Sequence, residues 1–207
     1  RTKAVDCYFA SRSAVRKLAR KIRAFELSCD FAARNTLLIA GDKMDGKALA
    51  AEAGLRRRAG LPSRFLSRVQ LRAQFGFDRE GAILSSGSCE VDPRKLTRQL
   101  LQRAQRNGVE IVADAAAAEI DATRHGIFIQ MSNGSVIAAQ KVIAASGYEI
   151  LPQVPKDTYR LTSTWALATA PVDKSMLWRD SVLVWEASDP YLYFRTTPDN
   201  RIIAGGE

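Results

Sequence analysis

The residues that first suggest chemistry are four small ones in a row, Ala144, Ala145, Ser146 and Gly147. They end an apolar run, Lys141-Val-Ile-Ala-Ala145, that is typical of a buried β-strand. A strand that ends in small residues leaves bare backbone at the edge of a sheet, where a planar or phosphate-bearing cofactor can approach closely. A tight strand exit that contacts nothing explains the same pattern, so both interpretations stay open.

A second group combines aromatic side chains with a cation. Tyr191, Tyr193 and Arg195 alternate along a predicted strand, and Trp185 precedes them in the sequence. Because strand residues two apart point to the same face, the three side chains share one side of a sheet. That side either lines a polar site or is ordinary protein surface.

Other patterns argue against several kinds of site. Residues 41–47 fit G-x-x-x-x-G-K, but Ala48 has no hydroxyl for magnesium and two aspartates would lie beside the phosphates, so we expect a plain turn. His125 is the only histidine, and the sequence has no G-x-S-x-G motif whose serine it could activate.

Three cysteines without a C-x-x-C pair favour neither a disulfide framework nor a zinc site, and they indicate a reducing cytoplasm. No apolar run reaches the ~20 residues that cross a bilayer.

The positive charge is concentrated in the first part of the chain. The net charge is +9, and residues 1–76 contain 17 Lys or Arg against 6 Asp or Glu. Such a segment could bind nucleic acid. The basic residues lie largely off the apolar stripe of Val15, Leu18 and Ile22, however. We therefore favour the solvated side of a packed helix over a nucleic-acid surface.

Periodicity and turn residues predict an α+β fold. The predicted helices cover 11–34, 43–59, 63–75 and 93–107, the last with Asp92 as its N-cap and Gly108 at its C-terminal end. Predicted strands cover 36–40, 81–86, 109–112, 116–121, 126–131, 135–139 and 141–145. The three between 116 and 139 form a meander. Strands at 159–169, 181–185, 191–196 and 201–204 form an antiparallel sheet.

Several segments carry a resemblance in their order and spacing. They are Val91-Asp92-Pro93-x-x-Leu96, the helix end Asn107–Ile111, the turn Asn133-Gly134, and the segments Val142–Tyr148, Tyr191–Arg195 and Asp199–Gly206. Together they resemble the FAD-dependent oxidoreductases of the D-amino-acid oxidase type, a group that includes glycine and sarcosine oxidases. The resemblance covers nearly the whole chain and implies a flavin held between a dinucleotide-binding domain and a sheet-rich substrate domain.

The resemblance implies FAD as the cofactor and assigns residues to it. These are Ala117 for the adenine, Ala145, Ser146 and Gly147 for the cofactor backbone, and Gly205 and Gly206 for the approach to the flavin. The family usually has Thr where Ser146 stands, and Ser keeps the hydroxyl. The G-x-G-x-x-G turn that carries the pyrophosphate is absent from this sequence. We therefore expect a missing N-terminal dinucleotide-binding segment, and weak or no FAD binding by this chain alone.

The implied reaction is oxidation of the C–N bond of an amine or amino acid, with hydride transfer to FAD. The implied substrate-binding residues are Arg195 for a carboxylate, with Tyr193, Tyr191 and Trp185 around it. The implied organisation is a helical part and first strands of the substrate domain over 1–87, a partial FAD-binding segment over 88–150, and the antiparallel sheet of the substrate domain over 151–207. Two alternatives stay open, a non-catalytic binding module of the same fold and RNA binding through residues 1–76.

Overall fold

The computed structural model describes residues 3–150, 154–155 and 158–206. In chain order, its helices and strands are α1 (Lys3–Ala24), β1 (Ala32–Ile39), α2 (Gly46–Arg58), β2 (Ser63–Ser67), α3 (Arg68–Phe75), β3 (Gly81–Glu90), α4 (Pro93–Arg106), β4 (Ala117–Thr123), β5 (Gly126–Met131), β6 (Val136–Ala139), β7 (Trp165–Ala168), β8 (Leu183–Glu186), β9 (Leu192–Thr196) and β10 (Ile202–Gly206). The predicted α+β class is confirmed. Within the described ranges, the structure contains no helix that is long and apolar enough to span a bilayer.

Helix α1 begins and ends earlier than the sequence predicted. The helix predicted over 11–34 is a helix over Lys3–Ala24, and strand β1 already begins at Ala32. Glu26 and Asp30 each have a φ of 53°, outside the right-handed helical region, so the chain turns at both residues. The basic residues of 16–23 are exposed while Ala19 and Ile22 are buried, which confirms that this charge covers the solvent side of a packed helix.

The chain divides into two compact units, and the first comprises Arg1–Leu100 and Ser163–Glu207. Its seven strands form one sheet in the order β2-β3-β1-β8-β9-β10-β7. The antiparallel arrangement predicted for the strands after residue 159 is confirmed, since β8 pairs with β9, β9 with β10, and β10 with β7 in that way. Strand β3 also pairs antiparallel with β1 and β2, whereas β1 and β8 run parallel. The strand predicted over 159–169 is confirmed for Trp165–Ala168.

The helix predicted over 63–75 is wrong in its first part. Residues Ser63–Ser67 form strand β2 and pair with β3, and helix α3 begins only at Arg68. Ser67 is the reason for the switch, because its side chain accepts a hydrogen bond from the backbone N–H of Gln70 while the Gln70 side chain accepts one from the backbone N–H of Ser67. This capping box starts a helix where the strand ends.

The sheet of the first unit is covered on both faces. On one face, Leu37 and Val184 are fully buried beside Leu71 and Phe75 of α3. On the other face, Ile83 is fully buried against Leu49 of α2. Burial of these apolar side chains on two faces stabilises the central strands, from which β9 and β10 continue the sheet.

The second unit comprises Leu101–Thr162. Its meander is confirmed as the three-stranded antiparallel sheet β4-β5-β6, with Gly134 at a φ of 84° in the predicted turn. The strands predicted over 109–112 and 141–145 are wrong, because the structure has irregular backbone in both segments. Both are mainly apolar yet largely exposed, Ile143 to 91%, and they lack a neighbouring strand among the described residues.

The predicted boundary between 150 and 151 borders residues 151–153, which lie outside the described ranges. The three-part domain organisation therefore stays a prediction.

Candidate functional site

The aromatic and basic residues predicted near the end of the chain lie together on three adjacent strands. Trp185 of β8 lies directly opposite Tyr193 of β9, and Tyr193 in turn lies opposite Gly205 of β10. Arg195 follows Tyr193 by two residues and therefore projects from the same face. Tyr191 joins the group just before β9, since its ring centroid is 6.2 Å from that of Tyr193. We call Trp185, Tyr191, Tyr193 and Arg195 the aromatic–arginine face.

The two sides of these strands differ in polarity. Val184 and Phe194 alternate with the residues of the aromatic–arginine face and belong to the buried core on the opposite side. Trp185 and Tyr191 remain exposed, to 36% and 39%, whereas Arg195 is half-buried. Packing on the core side therefore holds the strands in place, and the aromatic–arginine face leaves its polar groups accessible to a ligand.

Arg195 has no carboxylate within ion-pair distance among the residues that the structure describes. Its neighbour across the sheet is the apolar Ile203 of β10. A half-buried guanidinium without a counter-charge is poorly compensated, because part of its hydration is lost without an ion pair in return. This arrangement suits the binding of an external carboxylate.

The two glycines of β10 are explained by the close approach of tyrosines. A Cβ added at Gly205 would overlap the Tyr193 ring and lie 2.9 Å from the backbone oxygen of Trp165. A Cβ added at Gly206 would overlap the backbone oxygen of Tyr191. Both glycines are buried. Small residues here allow Tyr193 to lie across β10, and this sets the shape of the aromatic–arginine face.

A network of hydrogen bonds holds the turn between β9 and β10. Asp199 accepts hydrogen bonds from the hydroxyl of Thr197 at 2.6 Å and from Nε of Arg201 at 2.7 Å. The Thr197 hydroxyl, followed by Arg201, holds the pKa of Asp199 below its usual range. Nη1 of Arg201 also donates to the backbone oxygen of Thr169, next to β7. The turn therefore fixes the register that places Tyr193 opposite Gly205.

An apolar surface that was not predicted from the sequence lies on the core side of strands β7, β10 and β9. Trp165, Leu167 and Leu192 are exposed to 78%, 63% and 40%, and they border a concavity of about 400 Å³ beside Gly206. Trp165 lies opposite Gly206, and Gly206 lies opposite Leu192, so all three belong to one face. The alternation of Trp165 and Leu167 in the sequence could have indicated this apolar surface. It was overlooked because these residues were part of a longer predicted strand over 159–169.

The remaining predicted cofactor residues belong to the second unit. Ala117 begins strand β4 opposite Met131 and is exposed. Ala145, Ser146 and Gly147 lie in the irregular segment, where the Ser146 hydroxyl donates to the backbone oxygen of Glu149 at 2.5 Å. Gly147 has a φ of 64°, which favours glycine, and a Cβ there would meet no heavy atom within 4 Å.

This open backbone fits part of a flavin site. Among the described residues, the N–H groups of 141–147 have no backbone acceptor, and the side chains of residues 144–147 are small. Free N–H donors and small side chains are what a phosphate-bearing or planar group needs for close approach. The fit is partial, since the sequence has no G-x-G-x-x-G turn.

Two of three comparisons with known proteins found matches for the chain. It matches the family model described as "DAO: FAD dependent oxidoreductase" over residues 7–207. Similar solved structures include glycine oxidase from Geobacillus kaustophilus (TM-score 0.76, 18% identity), L-alpha-glycerophosphate oxidase from Mycoplasma pneumoniae with FAD bound (0.71, 15%) and iminodiacetate oxidase from Chelativorans sp. BNC1 (0.68, 17%). The comparison with curated proteins found no match.

The solved structures are longer than this chain. The three alignments cover 100%, 95% and 97% of this chain, but 56% of each of the other chains. The chain therefore spans little more than half the length of these structures, and at such identities the likeness is one of fold.

Proposed function

This chain belongs to the DAO family of FAD-dependent oxidoreductases, whose model it matches over residues 7–207, and we propose that it forms part of an enzyme that oxidises an amine or amino acid. The bond that reacts is a C–N bond of the substrate. The observation that carries this proposal within the fold is Arg195, a half-buried cation on the aromatic–arginine face without a carboxylate partner among the described residues. The substrate is an amine that also carries a carboxylate.

Arg195 binds the substrate carboxylate in this proposal. A guanidinium offers parallel N–H donors that match both oxygens of a carboxylate, and such charge-assisted pairs are about twice as strong as neutral hydrogen bonds. Two of the similar structures are named as oxidases of glycine and of iminodiacetate, both of which carry carboxylates. Their names support the substrate class proposed here.

The aromatic residues orient the substrate and exclude water. Trp185 and Tyr193 lie opposite each other across two strands, and the Tyr191 ring extends the same surface. Rigid rings with few rotatable bonds lose little conformational freedom when a ligand binds. They therefore provide walls around the carboxylate, while Arg195 provides the charge.

The flavin, when bound, supplies the acceptor for the hydride that leaves the substrate carbon. Ala117, Ala145, Ser146 and Gly147 would hold it with backbone groups of the second unit. The assignment of Gly205 and Gly206 to the flavin stays a prediction, because tyrosine contacts already account for both glycines. We propose that a dinucleotide-binding segment outside this sequence carries the pyrophosphate. We propose that the protein functions in a reducing cytoplasm, and the free thiols of Cys7, Cys29 and Cys89 support this proposal.

The decisive experiment uses the protein that contains this chain together with its flavin. Flavin absorbance is recorded anaerobically while glycine or methylamine is added, which compares amines with and without a carboxylate. We expect reduction by the carboxylate-bearing amine, and we expect Arg195→Gln to raise the concentration needed by roughly 10- to 100-fold, because a charge-assisted pair is lost. Arg179→Gln is the matched control, since Arg179 is exposed and paired with Asp180.

The outcomes separate the function from the residue assignment. A colourless protein, or a flavin that no amine reduces, would contradict the oxidoreductase and favour a non-catalytic module. Reduction that is unchanged in Arg195→Gln would contradict only the carboxylate site. The match to an oxidoreductase family does not favour RNA binding through residues 1–76, and weak, salt-insensitive retention of RNA would agree with that view.

A further inference from the structure

A pocket in the first unit lies apart from the aromatic–arginine face. It is enclosed by α1, the last turn of α2 and strands β1, β2 and β3, none of which contributes to that face. Its volume is about 170 Å³. Because one water occupies ~30 Å³ in the liquid, this space is large enough for a small anion of several heavy atoms. Its polar lining consists mainly of arginine guanidinium groups and of serine and threonine hydroxyls.

Arg12 is the basic residue that distinguishes this pocket. Its Nε is buried and has no hydrogen-bond partner in the structure, and no carboxylate lies within ion-pair distance among the described residues. A buried donor without a partner costs about 1–3 kcal/mol, and more when the group is charged. Among the described residues, the Arg12 guanidinium therefore has neither a hydrogen-bond acceptor nor a counter-charge.

The backbone beneath Arg12 is shaped to receive its guanidinium. Between the pairs Arg34–Ser88 and Thr36–Ser85, one residue of β1 faces two of β3, so β3 contains a β-bulge. Gly87, in that bulge, has a φ of 98°, and a Cβ there would lie 3.2 Å from Nε of Arg12. The bulge thus both requires glycine and leaves room for the cation.

A second guanidinium is held rigidly at the same pocket. Nε of Arg56 donates to Glu52 at 2.7 Å, and Nη2 donates to the hydroxyl of Tyr8 at 2.8 Å. The same guanidinium lies 5.0 Å from the centroid of the Tyr8 ring. An arginine has five N–H donors, so three remain for a ligand after these two bonds. Glu52 offsets one positive charge, and the charge of Arg12 remains.

Hydroxyl donors complete the lining. The hydroxyls of Ser63 and Ser85 lie 2.9 Å apart, so one donates to the other and the second proton stays free for a ligand. Ser86 and Ser88 also line the pocket. None of the lining residues that the structure describes is acidic. Cations and hydroxyls that approach from three elements match an acceptor whose oxygens point in several directions.

We propose that this pocket binds a phosphate group, either free or as a small phosphomonoester. A phosphate presents oxygens in a tetrahedral arrangement, which suits donors from α1, α2 and the sheet better than a planar carboxylate does. Val15 and Leu61 supply an apolar wall for the organic part of a monoester. The proposal does not depend on the oxidoreductase function, because it uses other residues of the sheet.

Calorimetric titration with inorganic phosphate tests the proposal, on the protein that contains this chain with its flavin bound and with chloride used to hold the ionic strength constant. We expect saturable binding, and we expect Arg12→Gln to weaken it at least about tenfold, as loss of a charge-assisted hydrogen bond requires. Arg16→Gln is the control, because it removes the same charge from an exposed position of α1. We expect that variant to bind phosphate as the wild type does.

Titrations with other ligands and other variants separate phosphate binding from general anion binding and from loss of folding. Methyl phosphate should bind at least as well as inorganic phosphate, and acetate more weakly. If Arg12→Gln does not fold, two other variants replace it, and each should weaken phosphate binding. Ser85→Ala removes a hydroxyl donor, and Arg12→Lys removes the planar guanidinium group. Absence of saturable phosphate binding would overturn the proposal. So would equal losses in the Arg12 and Arg16 variants, or acetate binding as tight as that of phosphate.

Discussion

Replacement of Gly205 by Ala tests how β10 shapes the aromatic–arginine face. The added methyl group would overlap the Tyr193 ring and lie 2.9 Å from the backbone oxygen of Trp165, a contact that real Cβ atoms do not make. Gly205 does not have a positive φ, so the cost is steric and does not come from the backbone conformation. The ring must therefore move, and β7 must shift slightly.

The magnitude follows from two opposed effects. Overpacking a close-packed site costs about 1–3 kcal/mol. Ala restricts the unfolded chain more than Gly and returns about 0.4–1 kcal/mol. We expect Gly205→Ala to lower the free energy of unfolding by about 1–2 kcal/mol. Gly54→Ala in α2 is the matched control, since the nearest atom to its Cβ is Arg58 Nη1 at 3.5 Å. That change should stabilise by about 0.5–1 kcal/mol.

Urea denaturation followed by tryptophan fluorescence measures both changes. The tryptophans, Trp165, Trp178 and Trp185, all lie in the first unit, so the signal reports that unit alone. A double-mutant cycle with Tyr193→Ala isolates the contact between ring and glycine. We expect Gly205→Ala to cost about half as much once the ring is gone, because only the Trp165 oxygen still opposes it. An equal cost in both backgrounds would refute the reasoning.

Two further predictions concern the core and the turn of the first unit. Leu37→Ala should lower the free energy of unfolding by about 2–5 kcal/mol, because the side chain is fully buried in the core, and urea denaturation measures this loss. The second concerns Asp199, whose pKa is lower in the folded protein than in the unfolded chain. Its hydrogen bonds to Thr197 and Arg201 therefore stabilise the fold at pH values above the pKa of the unfolded chain. This stabilisation is lost as the pH falls through the pKa of Asp199 in the folded protein. Melting temperatures below about pH 4 should therefore fall more steeply in the wild type than in Asp199→Asn, whereas Asp121→Asn, an exposed carboxylate on β4, should follow the wild type.

Local signals in the sequence were sufficient for most elements. The meander could be predicted because alternation and an Asn-Gly turn specify a hairpin without outside help. The side chains of Tyr193 and Arg195 could be placed on one face for the same reason. The parallel pair of β1 and β8 could not, since it joins residues about 150 positions apart, and no local pattern specifies such a partner.

The two predicted strands that the structure does not contain were predicted wrongly for the same physical reason. The segments 109–112 and 141–145 are apolar, and an apolar run predicts a strand only when a neighbouring strand satisfies its backbone groups. The described residues contain no such neighbour, so the backbone is irregular and Ile143 is exposed. Apolar periodicity thus reports a need for burial, and it does not report whether the burying partner is part of the same chain.

The basic residues of α1 show what a charge count conceals. The net charge of residues 1–76 adds together arginines in different surroundings, and for Arg16 and Arg20 the predicted solvated surface is correct. Arg12 differs because it lies three residues before Val15 and seven before Ala19, on the stripe that faces the sheet. A cation on the buried stripe of a helix needs an acceptor, and Gly87 marks where its guanidinium lies. Position relative to the apolar stripe therefore separates Arg12, which lines the proposed phosphate pocket, from the solvated arginines of the same helix.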